Sequence, residues 1–439
     1  MTLKVWARGR RRTNSDGSAR LTRPVAGMAV LAVMAMGTGP AASDEKAPPL
    51  SENVEHVTNV PGATGGHVAI EGKRMYVGAY GFGMRIFDIS DPTAPAVVGE
   101  YMPGFESTSD LGLRADAVPD AAVFGKRHIA TLAGTSRHSS TTRTEFLDVT
   151  DPANPELLAE LVGDQEGEAH NGDIVDERKL WMPSGGDLDL GLRIFDLRPL
   201  LKKEPSAPKL LFAADPVLMW EASPYRKGRP VGNPYTHTHD ITVYTDHKVR
   251  INGKTKKRDI ALLAEGGSYL GNGNTGSILI VDITDPRRPV VLNRWTNDEG
   301  HAIRYYHEAQ FLDGDNSVMI VTDEDLHNGC NAGGVALVRV SPDLTTATKL
   351  SEWFIGVGTP APVCSAHVFS TKGNYMYMGS YNAGLQVIDL SDPAEPTKAG
   401  YYIEPGMNSW GAEWHKGVVY VGDFGARGLD VFKFTPPKG

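Results

Sequence analysis

Short apolar runs separated by turn-forming residues recur along the whole chain. One is Leu385-Gln386-Val387-Ile388-Asp389-Leu390, which follows Gly384 and is closed by Ser391-Asp392-Pro393-Ala394-Glu395-Pro396. Ahead of it lie Ala366 to Ser370, a Lys372-Gly373-Asn374 turn and Tyr375 to Ser380; behind it comes Thr397 to Tyr402. Runs this short, bounded by Gly, Asn, Asp and Pro, predict four strands rather than helices. Pro396 suits the outermost strand, where a missing backbone donor faces solvent.

The central run has six relatives: Gly83 to Pro92, Glu145 to Pro152, Gly191 to Leu197, Ile278 to Pro286, Val335 to Pro342 and Gly428 to Phe434. Between Asp88, Asp148, Asp196, Asp282, Arg339, Asp389 and Lys433 the spacings are 60, 48, 86, 57, 50 and 44 residues. Units of four short strands at this spacing predict an all-β chain, a single seven-bladed β-propeller with four-stranded blades. The last copy stops after its third strand, whereas residues 53–62 form a spare strand before the first copy. The N-terminal strand is therefore expected to complete the last blade and close the ring. An eighth blade inside the 86-residue interval is the rival count. A long connection, residues 214–236, and a polar extension, Thr245 to Arg258 with an Asn252-Gly253 hairpin signal, account for that length instead. No sustained helical stripe is visible outside the N-terminal segment.

The repeat, with its φ-φ-D-φ-S/T-D-P-x-x-P pattern, resembles that of the LVIVD-repeat proteins, which are secreted or surface-anchored β-propellers. The resemblance spans nearly all of the chain after residue 42. It weakens where Arg198-Pro199 replaces the Asp-Pro turn, where Arg339 replaces the aspartate, and in the last copy. It implies fold and location and carries over no catalytic residue.

Residues 1–42 differ from the rest. Six arginines between Arg8 and Arg23 precede an apolar run, Val25 to Met36, and then the small residues Gly37 to Ser43. This order predicts a secretory signal cut near Ala42, leaving residues 43–439 as the mature propeller. A retained anchor is the alternative, although the run is shorter than the roughly 20 residues that span a bilayer. The segment holds seven of the 44 Lys and Arg and one of the 53 Asp and Glu, so the net charge moves from −9 to −15 on its removal. That acidity argues against nucleic-acid or anionic-membrane partners. No other stretch is long and apolar enough to span a membrane.

Candidate chemistry comes from the repeat register. His67 opens the innermost strand of copy one, and His170, His239, His307 and His367 take the same place in copies three to six. Asp120 falls there in copy two; copy seven has Gly411, beside Trp410 and Glu413. Equivalent residues at the start of innermost strands surround one mouth of the central channel. Imidazoles converging there could hold copper, zinc or iron, with Asp120, Glu308 and Glu413 as acid/base or orienting carboxylates. The bland alternative is that histidine merely suits a wet channel mouth.

The 214–236 connection carries Trp220, Tyr225, Arg226, Lys227, Arg229 and Tyr235 and enters the chain just before His237, so it is expected over the same mouth, as a lid or as decoration. The acidic loop Asp323 to Cys330 reads as solvated, with calcium as the lesser alternative. Cys330 and Cys364, on the same face of an exported protein, favour a disulfide over two thiolate ligands. No G-x-S-x-G, P-loop or H-E-x-x-H is present. The expectation is a secreted propeller with a histidine-lined metal site, of the kind a metal-dependent enzyme acting on a small molecule would use. A non-catalytic scaffold or ligand-binding module at the cell surface is the alternative.

Overall fold

The computed structural model describes residues 51–62, 67–79, 83–102, 114–136, 143–162, 169–185, 191–230, 237–267, 276–297, 303, 305–326, 330, 332–356, 361–423 and 427–437. The expected signal segment lies outside them. The described strands form seven antiparallel four-stranded sheets, and six of these are built from consecutive strands. The seventh has the order Val54–Val60, Leu429–Phe434, Val418–Asp423, Ser409–His415. The N-terminal strand therefore closes the ring, with Val54 paired to Phe434 and Val60 to Leu429. His56 Nε2 lies 2.8 Å from the carboxylate of the buried Asp430, and Asn53 Nδ2 donates to the Ala399 carbonyl of blade six at 2.8 Å.

The seven apolar clusters each lie between two neighbouring blades. Alternation along a strand sends successive side chains to opposite faces. In blade one, Ile86 packs with blade two while Phe87 packs with blade seven. Both faces are buried, which is why consecutive residues at the centre of the third strand, such as Ile86-Phe87 and Val387-Ile388, are both apolar.

The Asp-Pro signature is explained by turn geometry. Asp88, Asp148, Asp282 and Asp389 each accept from the backbone N–H two residues on, at 2.7–2.9 Å. Asp91, Asp151, Asp285 and Asp392 repeat the arrangement at 2.9–3.1 Å. These are paired side-chain turns whose carboxylates are already engaged. The glycine that opens several copies answers a close approach: Gly384 has φ +65°, and a Cβ there would lie 2.1 Å from the Tyr402 carbonyl oxygen.

In blade four the hairpin signal is real. Asn252 and Gly253 both have positive φ, and the strands Thr238–Ile251 and Lys254–Glu265 run far beyond their counterparts. The 214–236 connection is less irregular than its sequence suggests, because Pro216–Ala222 is a helix. Asp215 caps it by accepting from Val217 and Leu218, and proline occupies the first turn. Trp220 is buried, with Arg229 over its ring, and Ser223 and Arg229 bond to the outer strand Val290–Trp295. Residues 216–230 thus ride on the outside of blade four. Residues 231–236, which lead to His237, lie outside the described residues.

Candidate functional site

The innermost strands contact one another blade to blade around the axis, and the five register histidines meet there. Ring centroids are 4.7 Å apart for His170 and His239, 4.3 Å for His239 and His307, and 4.0 Å for His307 and His367. His67 completes the set from blade one, close enough for His170 to lower its basicity and for it to lower that of His367.

Three of the rings are oriented by a carbonyl of the next blade. His67 donates to the carbonyl of Pro119, His239 to that of His307, and His367 through Nδ1 to that of Trp410 at 2.5 Å. Each bond fixes a tautomer and leaves the ring's other nitrogen free of its proton. The freed nitrogens are Nδ1 in His67 and His239, both without a hydrogen-bond partner among the described residues. Both nitrogens of His307, a side chain 2% exposed, are likewise without one.

Burial is the main cause of the depressed basicity here, and neighbouring imidazoles add to it. His67 is pushed down to about 4 and His367 to about 3, and His239 and His307 fall well below the usual histidine range. At neutral pH these four rings are uncharged, the form that ligates metals.

Glu324, which the sequence reading assigned to a solvated acidic loop, turns inward instead. It is 5% exposed, and Asp323 and Asp325 beside it are equally buried. Its carboxylate oxygens lie 3.6 Å from His367 Nε2 and 3.9 Å from His307 Nε2, and the Tyr381 hydroxyl donates to one of them. His239, His307 and Glu324 present donor atoms within 4.8 Å of one another. Three elements from blades four and five thus converge on a volume the size of a coordination sphere. His237 stands apart from the ring, with Nε2 2.9 Å from the Tyr305 hydroxyl.

A second set of acids, Asp240 and Glu308 buried and the others half-buried, accompanies the histidines. Asp120, Glu308 and Glu413 are pushed up to about 8 and Asp173 to about 6, while Asp240 is raised well above the usual range. Burial is the first cause in each, and neighbouring carboxylates raise Asp120, Asp240 and Glu308 further. Three of these acids brace the next blade: Asp120 accepts from Ile174 N at 2.5 Å, Asp173 from Val243 N at 2.8 Å and Glu308 from Phe369 N at 3.2 Å. Asp120, expected among the histidines, faces Asp173 instead. Glu413 is near enough to Glu308 to raise it further.

The sequence reading missed Glu324, Asp240, Asp173 and Tyr381. Asp240 was within reach, because it follows His239 as Glu308 follows His307. Cys330 and Cys364 form a disulfide, so neither is a thiolate ligand.

The LVIVD repeat, as a family, matches residues 62–103 and 365–403, the first and sixth blades. The chain carries LVIVD repeats in a seven-bladed β-propeller. No curated protein matches its sequence. Among solved structures, the Cps50 (Swd1) β-propeller domain of Myceliophteria thermophila is similar over 87% of this chain and all of that one, with a TM-score of 0.53 at 11% identity. Raptor of Chaetomium thermophilum is similar over 89% of this chain and 30% of its own, with a TM-score of 0.53 at 10% identity. Likeness at this identity bears on the fold of the LVIVD-repeat chain and leaves its chemistry to the site itself.

Proposed function

We propose that this LVIVD-repeat propeller is an exported metalloprotein that binds one transition-metal ion at a channel mouth and acts on a small molecule there. His239, His307 and Glu324 are the primary ligands, and His367, held through Nδ1, offers Nε2 from the next blade. His67 and His170 line the opposite arc. A set of neutral imidazoles with one carboxylate suits copper, zinc or iron better than magnesium or calcium, which favour oxygen ligands. Bound there, such an ion would supply Lewis-acid or redox chemistry. Glu308, buried, and Glu413, half-buried, both basic enough to hold protons near neutral pH, are the candidate acid/base groups. Asp120 serves the blades more than the site.

The observation that carries this reading is the set of buried ring nitrogens without partners beside a buried carboxylate. Burying such groups costs free energy unless something satisfies them. Export rests on the signal-like order of residues 1–42 and agrees with the Cys330–Cys364 disulfide. No helix among the described residues is long and apolar enough to cross a membrane.

Elemental analysis of the untagged protein tests the proposal. We expect close to one equivalent of a first-row transition metal or more, and its loss in the His239→Ala/His307→Ala variant. Less than a tenth of an equivalent after reconstitution, with thermal stability unmoved by added metal, would leave a non-catalytic scaffold as the better reading.

A further inference from the structure

The site above uses the His239–His307–Glu324 group. A second group, Asp240, His307 and Glu308, also presents donor atoms within 4.8 Å of one another, and all three side chains are at most 5–6% exposed. His307 belongs to both groups.

Two irregularities in the sheets make this possible. In blade four the register slips between Thr238, opposite Glu265, and Asp240, opposite Ala264, so His239 is the extra residue. In blade five Tyr306 pairs with Asp323 and Ala309 with Val321, so His307 and Glu308 together face Thr322. A regular strand would send consecutive side chains to opposite faces; a bulge re-aims one of them. Both dipeptides, His239-Asp240 and His307-Glu308, thereby join the channel clusters. The same device in two adjacent blades places two histidines and two carboxylates against each other.

The charge there is unbalanced. Among the described residues Asp240 accepts only from neutral donors, Asn171 at 2.8 Å and Ile241 N at 2.7 Å, and Glu308 only from Gln310 at 2.5 Å and Phe369 N at 3.2 Å. No ion pair with lysine or arginine is described for either. Beside them stands the His307 ring, with two nitrogens and no hydrogen bond to either among the described residues. A histidine that ligates one metal ordinarily donates its other N–H to a carboxylate, carbonyl or water. His67, His239 and His367 follow that rule; His307 does not.

We propose that Asp240, Glu308 and His307 form a second divalent-cation site, and that the His307 ring serves both sites with one nitrogen each, its proton leaving to solvent on loading. Two carboxylates and one imidazole suit a harder first-row ion such as Mn²⁺ or Zn²⁺. The inference rests on the single-metal reading above, and the two can fail separately.

The test is metal stoichiometry and electron paramagnetic resonance on the untagged mature protein loaded with Cu²⁺ alone or Zn²⁺ alone. Two equivalents are expected in the wild type. Asp240→Asn/Glu308→Gln should retain one. Because those carboxylates also accept backbone N–H groups, Glu308→Asp, which keeps the charge but shortens the reach, provides a second test and should likewise retain one. With Cu²⁺ at both positions, a shared imidazole ring couples the spins, so signal intensity per copper should fall several-fold below that of the one-equivalent variant. One equivalent in the wild type would overturn the second site and leave the first. Two equivalents at full intensity per copper would overturn the shared ring, and no equivalents at all would overturn both readings.

Discussion

His367 donates its Nδ1 proton to the carbonyl oxygen of Trp410, 2.5 Å away in the next blade, and its Nε2 is thereby left facing Glu324 at 3.6 Å. One hydrogen bond across a blade boundary selects the nitrogen that points at the site. The relationship adds to the backbone bonds between Tyr381 and Ser409 that already join these two sheets.

His367→Ala should therefore have two separable effects. The Trp410 carbonyl loses this hydrogen bond, worth about 0.5–1.5 kcal/mol in a denaturant titration of the metal-free protein. Metal retention against a chromophoric chelator should weaken by at least about 10-fold. Tyr381→Phe, which removes only the hydroxyl that holds Glu324, should weaken retention in the same direction with little change in metal-free stability.

The pH dependence of the metal-free protein follows from two opposed groups. His67, His239, His307 and His367 have folded values below the unfolded 6.5, so they stabilise fully above that pH and lose the contribution as pH falls toward about 4 and 3. Asp120, Glu308 and Glu413 have folded values near 8, above the unfolded carboxylate range, so their contribution is full below about pH 4 and is lost as pH rises toward 8. Between pH 4 and 6.5 the two trends oppose each other, and above 6.5 only the carboxylate loss remains. Urea midpoints of the metal-free protein should change little from pH 5 to 6.5 and fall from 6.5 to 8. A midpoint that rises over the upper window would contradict these assignments.

Deleting residues 51–62 should destabilise the entire propeller rather than blade seven alone. Val54 belongs to the cluster between blades six and seven, and the ring closes through Val54–Val60. Limited proteolysis and thermal unfolding should both report loss of the cooperative fold.

Cys330→Ser/Cys364→Ser opens a loop of 34 residues, for which the chain-entropy estimate is a loss of about 3–4 kcal/mol. Metal stoichiometry should be unchanged in that variant, because the sulfurs are bonded to each other and take no part in the site.

Much of the molecule is legible from local rules. The apolar third strands, the Asp-Pro turns and the Asn252-Gly253 hairpin depend on residues close in sequence, and periodicity exposes them. The helix Pro216–Ala222 was also written locally, in Asp215-Pro216, but its seven residues are too few to show a stripe. Glu324 was not legible, since an acidic loop next to Asn and Gly looks solvated until blade six is packed against it. Asp240 was legible only by analogy, as the residue that follows His239 in the way Glu308 follows His307, because a strand read without its bulge sends it away from His239.

The sequence by itself determined seven copies of one blade and the shared register of His170, His239, His307 and His367, with His67 one residue out of step, because a repeat fixes what is equivalent without fixing where it points. Tertiary structure decided the rest. Closure of the ring brought the five rings together, the bulges in blades four and five re-aimed the dipeptides His239-Asp240 and His307-Glu308, and the carbonyls of Pro119, His307 and Trp410 selected the tautomers. Those contacts join residues from different blades, so their geometry exists only once the blades have packed.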